Sequence, residues 1–80
     1  MTSSDPVPVI AALVARIANI AALSPDADMY LAGLASTDAL ELLVELEDSF
    51  GISIPDERFI TARTAAELGA VVNELRAGVA

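Results

Sequence analysis

Gly33–Glu57 reads GLASTDALELLVELEDSFGISIPDE, and this stretch decides the fold because it holds a helix start, an amphipathic helix, a stop and a return. Ser36 and Thr37 are each able to cap a helix by accepting a hydrogen bond from a free N–H of its first turn. Asp38 places negative charge where the helix dipole favours it. Ala39, Leu42, Leu43, Leu46 and Phe50 then recur at helical spacing and fall on one face, the expected core side. Gly51 ends the helix, since glycine takes the left-handed conformation that a helix C-terminus often needs.

The remaining faces point outward. Asp38, Glu41, Glu45 and Asp48 follow one another at steps of three, four and three, so they form an acidic stripe. Leu40 and Val44 lie one turn apart, off the core face, between Glu41 and Glu47. Taken singly, the acids read as a solvated face and the two apolar residues as a contact with a neighbouring helix. Together they suit a docking surface for a basic protein, which the carboxylates steer and the apolar pair buries.

Outside this stretch, composition narrows the possibilities. Eighty residues, 55% of them hydrophobic, are enough for one small domain without a metal or disulfide staple. Neither cysteine nor histidine occurs, so thiolate nucleophiles, sulfur metal sites and the usual catalytic triads have no members here. Twelve acids against four arginines give a net charge of −8, which argues against nucleic acid or anionic membrane as a partner. No catalytic residue and no metal site is expected, and a cytoplasmic monomer fits this composition.

Towards the N-terminus, a mobile start over residues 1–5 leads into Asp5-Pro6, read as an N-cap with proline in the first helical position. The first helix is expected from about Pro6 to Leu23, burying Ile10, Leu13, Ile17 and Ile20. Ser24–Ala32 reads as an ordered loop that Met29, Tyr30 and Leu31 pin down, with Asp26 and Asp28 solvating or capping it. Towards the C-terminus, Ile52 and Ile54 sit in an extended link, since three alternating residues with no second strand cannot make a sheet. Pro55-Asp56-Glu57 starts a short helix that ends near Thr61, with Phe59 and Ile60 as core contacts. Thr64 and Glu67 form a capping box for a last helix over about Ala65–Arg76, burying Leu68, Val71 or Val72, and Leu75, before a frayed tail at 77–80. Gly69 inside that helix costs roughly 1 kcal/mol relative to alanine. The sum is an all-α small four-helix bundle, three main helices and one short one, forming one domain.

The series Gly33-Leu34-x-Ser36-x-Asp38, Glu41-Leu42, and Leu46-Glu47-Asp48-x-Phe50-Gly51-Ile52-x-Ile54-Pro55-Asp56-Glu57 resembles the acyl and peptidyl carrier proteins. The resemblance implies that a phosphopantetheinyl transferase moves phosphopantetheine from coenzyme A onto Ser36, and that the arm's thiol holds acyl or aminoacyl groups as thioesters for partner enzymes. It makes the helix after Ser36 the recognition helix. Thr37, Leu40 and Val44 would then be its apolar or near-apolar contacts, and Glu41, Glu47 and Asp48 would meet basic residues of a loading ligase and downstream enzymes. Asp38 and Glu45 complete the expected partner face. Carrier proteins usually read Asp-Ser-Leu at the attachment point, whereas this chain has Ala35-Ser36-Thr37. The change removes a carboxylate that the modifying transferase normally engages. Two functions follow: a carrier modified at Ser36, or an unmodified carrier-like module that uses its acidic face to bind proteins. For the second, Ser36 is a plain N-cap.

Overall fold

The computed structural model describes residues 5–78, and five helices form among them: α1 Val7–Ala18, α2 Met29–Ala32, α3 Ser36–Phe50, α4 Asp56–Thr61 and α5 Ala65–Arg76. The protein is all-helical, with α1 packed against both α3 and α5. The four expected helices are present, and α2 is an additional single turn within Ser24–Ala32, where the sequence suggests an ordered loop. The mobility expected over residues 1–5 and the fraying expected over 77–80 concern mainly residues 1–4 and 79–80, which lie outside those described. Asp5 accepts a hydrogen bond from the Val7 N–H at 3.0 Å, and the Ala77 N–H reaches the Asn73 carbonyl at 3.0 Å.

The core consists of apolar side chains from every helix, and no polar or charged residue is buried among those described. From α1 it takes Ile10 and Val14, from α2 Met29, from α3 Leu42 and Leu46, from α4 Phe59, and from α5 Ala65, Leu68, Val71 and Val72. Leu23, Leu34, Ile54 and Ala62 add contacts from the connections. Ile10, Val14, Leu42, Leu46, Leu68 and Val72 are fully buried, and each such side chain contributes about 1.5–3 kcal/mol of hydrophobic free energy before the entropy of ordering the chain.

The first helix is shorter than its apolar run suggests. Pro6 is the N-cap and Val7 the first helical residue, and the helix ends at Ala18 instead of Leu23. Asn19 takes a left-handed conformation, φ 59°, which lets the Ile20 N–H return to the Ala15 carbonyl at 2.9 Å. Asparagine tolerates this conformation better than most residues, so the helix stops inside a hydrophobic sequence. Leu13, Ile17 and Ile20, expected in the core, are half-buried, and Val14 is fully buried together with Ile10.

Asp28 caps α2 by accepting from the Tyr30 and Leu31 N–H groups at 2.9 and 3.1 Å. Met29 enters the core, while Leu31 is 85% exposed and anchors nothing. This connection is tied to the start of α5: the Met29 N–H bonds the Arg63 carbonyl at 2.8 Å and the Ala66 N–H bonds the Pro25 carbonyl at 3.0 Å. At α5 the capping box forms as its spacing predicts, with Glu67 N–H donating to Thr64 Oγ1 at 3.0 Å and Thr64 N–H to Glu67 Oε1 at 3.3 Å. Gly69 lies where α5 meets the start of α1, and a Cβ there would stand 2.5 Å from Val7 Cγ2. Close helix approach is what the glycine provides in return for its low helix propensity.

Candidate functional site

Ser36 begins α3, and the residues before it are held firmly. Leu34 is buried and its N–H bonds the Met29 carbonyl at 3.0 Å, while Gly33 turns the chain at φ 139° beside Ile20. The N-cap is Ala35, with extended φ −79° and ψ 156°, so neither Ser36 nor Thr37 caps the helix. Alanine has no side-chain acceptor, and the cap is made from the other side: Asp38 Oδ2 accepts from the Ala35 N–H at 3.1 Å. That leaves the Ser36 hydroxyl exposed and without a hydrogen-bond partner among the described residues. A serine released from capping is available for substitution at Oγ.

Ser36 also lines a groove of about 650 Å³ whose apolar walls are Leu34, Ala39, Leu40, Leu43, Phe59 and Ile60. Tyr30, Asp56 and Arg63 complete the lining. Ile60, expected in the core beside Phe59, is 65% exposed and belongs to this groove. Phe59 turns into the core, and Ile60, about 100° further round this short helix, faces the groove.

The two charges in the groove differ in their surroundings. Arg63 donates from Nε to Asp28 Oδ2 at 2.6 Å and from Nη2 to Oδ1 at 3.3 Å, and its guanidinium lies 4.8 Å from the centre of the Tyr30 ring. The Arg63 hydrogen bond holds the Asp28 carboxyl below its ordinary pKa, despite partial desolvation, and Asp28 in turn raises that of Arg63. Asp56 enters no ion pair among the described residues.

The expected partner face divides into free and engaged residues. Leu40 and Val44 are 71% and 62% exposed, and Thr37, Glu41 and Asp48 are exposed beside them. Glu45 pairs with Arg16 at 3.4 Å, and Asp38 caps its own helix. Glu47 is half-buried, and its Oε2 accepts from the Ile54 N–H at 2.8 Å. Sequence reasoning missed Tyr30, Asp56 and Arg63 as groove residues, because only the packing of separate segments brings them together.

Residues 8–72 match the model of the family described as "Phosphopantetheine attachment site", which is well over half of the chain. The chain belongs to this family. Members are carriers, generally without catalysis of their own, that bear a covalently attached phosphopantetheine and interact with enzymes such as transferases and ligases. A 37-residue stretch of this carrier is 43% identical to a "Probable acyl carrier protein" of Caulobacter vibrioides (strain NA1000 / CB15N). The stretch is 46% of this chain and 43% of that relative, so it spans less than half of either. The arrangement at Ser36 fits the prosthetic group: an uncommitted hydroxyl on a fixed backbone, opening onto a groove with apolar walls. Among the described residues, no helix is long and apolar enough to cross a membrane.

Proposed function

We propose that Ser36 Oγ carries the phosphopantetheine and that the chain presents acyl or aminoacyl groups, bound as thioesters to the arm, to partner enzymes. The observation that carries this reading is the uncommitted Ser36 hydroxyl at the edge of an apolar groove. Transfer from coenzyme A joins the Ser36 oxygen to the phosphorus that bears pantetheine, the adenosine bisphosphate half leaves, and the hydroxyl proton passes to a base of the transferase. Once attached, the group supplies the thiol that a chain without cysteine lacks.

The chain's own residues set what can be carried. Leu40, Leu43, Phe59 and Ile60 offer apolar surface to a cargo folded back beside α3, which shields its thioester from water. Since Asp28 neutralises Arg63, Asp56 is the uncompensated charge of the groove, and the net charge of −8 adds to its field. These charges favour a cargo bearing a protonated amine, as an aminoacyl group does, over its uncharged counterpart.

Partners dock on the exposed apolar pair Leu40 and Val44, with Thr37 beside Ser36 and the free carboxylates of Glu41 and Asp48 meeting basic residues. Asp38 and Glu45 contribute charge at the margin of that face while keeping their internal bonds. The transferase that modifies this chain works without an acidic side chain at position 35. Proteolysis and fragment mass analysis of the modified chain are expected to place the arm on Ser36. Its location on Thr37, Ser49 or another hydroxyl would overturn the assignment.

A further inference from the structure

We propose that Glu47 is a positioning residue of the groove, not a partner contact: its carboxylate seats α4 beside α3 and so shapes the space next to Ser36. One residue gathers the backbone of the return from α3. The Glu47 carbonyl accepts from the Gly51 N–H at 2.9 Å and from the Ile52 N–H at 3.3 Å, and its carboxylate accepts from the Ile54 N–H at 2.8 Å. Ile54 is buried, so this part-buried N–H would be costly to leave without an acceptor. Pro55 follows as the N-cap of α4, and α4 brings Asp56, Phe59 and Ile60 into the groove lining. Glu41 and Asp48, by contrast, are exposed, so the recognition helix carries carboxylates with two different tasks.

Glu47→Gln and Glu47→Met separate the two roles. Both remove the charge, both keep a long, helix-favouring side chain, and only glutamine retains an acceptor oxygen. In the unloaded chain, amide exchange at Ile54 and the resonances of Phe59 and Ile60 report the seat of α4. In the chain loaded with a hexanoyl group, the rate of thioester cleavage by hydroxylamine reports shielding by the groove; this second readout rests on the carrier function proposed for Ser36.

Glu47→Met is expected to speed Ile54 exchange on the order of ten-fold, the factor that loss of a charge-assisted hydrogen bond implies, to shift Phe59 and Ile60, and to accelerate cleavage. Glu47→Gln, whose neutral amide oxygen can still accept from the Ile54 N–H, is expected to change all three by much less than Glu47→Met. Equal behaviour of the two variants would overturn the proposal, because charge or bulk would then be what matters. Faster exchange in Glu47→Met with unchanged cleavage would overturn it too, by leaving Glu47 a local staple with no hold on the groove. If Ser36 accepts no arm, the carrier reading fails, and the exchange and resonance measurements alone decide whether Glu47 seats α4.

Discussion

Replacing Gly69 by alanine tests the packing that brings α1 and α5 together. In an open helix this substitution stabilises by about 1 kcal/mol. Here the new Cβ would meet Val7 Cγ2 at 2.5 Å, with Pro6 Cγ at 3.6 Å and Val7 Cβ at 3.7 Å. Val7 is β-branched and lies in the first turn of α1, so its side chain has few alternative rotamers. Relief requires a rotamer change or separation of the helices, and overpacking of this kind typically costs about 1–3 kcal/mol. Set against the gain in propensity, the net effect is a loss of about 1 kcal/mol, or roughly 4–8 °C in Tm for a domain of this size. Urea unfolding followed by far-UV circular dichroism, at fixed ionic strength because of the net charge of −8, measures it. Val7→Ala removes the clashing atom, so Gly69→Ala in that background is expected to stabilise by about the open-helix amount. The two effects of Gly69→Ala should therefore differ by well over the roughly 0.5 kcal/mol within which independent sites add. A stabilising Gly69→Ala in the parent, or an additive cycle, would refute the reasoning.

Asp28→Asn keeps an oxygen to cap α2 but loses the titrating carboxylate paired with Arg63. Because the folded-state pKa of Asp28 lies below its ordinary value of 3.8, its stabilisation is present above that value and is lost as pH falls through the folded one. The variant is thus expected to show a shallower loss of stability on acidification, and coincident acid limbs in thermal scans would contradict this. Glu41→Lys is expected to raise the KM of the modifying transferase or loading ligase several-fold, mostly through slower association, while the circular dichroism spectrum stays unchanged. Unchanged kinetics would move the docking face elsewhere. For the Asp56 effect, leucyl and 4-methylpentanoyl cargoes differ only by the amine. Asp56→Asn is expected to speed hydroxylamine cleavage of the first alone, by about two- to five-fold, as an exposed ion pair of up to about 1 kcal/mol allows. Equal effects on both cargoes would exclude the charge argument.

What the sequence made readable was local. Leu42, Leu46 and Gly51 define α3 within a few turns, and Thr64 and Glu67, three residues apart, form both bonds of their capping box. The end of α1 was hidden because Asn19 stops the helix inside an apolar run that hydrophobic periodicity alone would extend. The cap of α3 was misplaced because Ser36 and Thr37 have the right chemistry, yet Asp38 supplies the bond from within the helix. Ile60 was not recoverable from spacing alone, since adjacent helical residues can both be buried, as Val71 and Val72 are, while Phe59 is buried and Ile60 is exposed. Nor was the groove, because Tyr30, Asp56 and Arg63 come from three segments joined only by tertiary packing. Glu47 reads as surface charge until the return of the chain places the Ile54 N–H against it.

Attachment at Ser36 is the central claim, and intact mass is its most direct test. The parent chain and Ser36→Ala are each incubated with coenzyme A and a panel of phosphopantetheinyl transferases. The account predicts that the parent gains the mass of one phosphopantetheine with at least one transferase and that Ser36→Ala gains none. A parent chain that no transferase modifies, or a Ser36→Ala chain that still gains the arm, would contradict it.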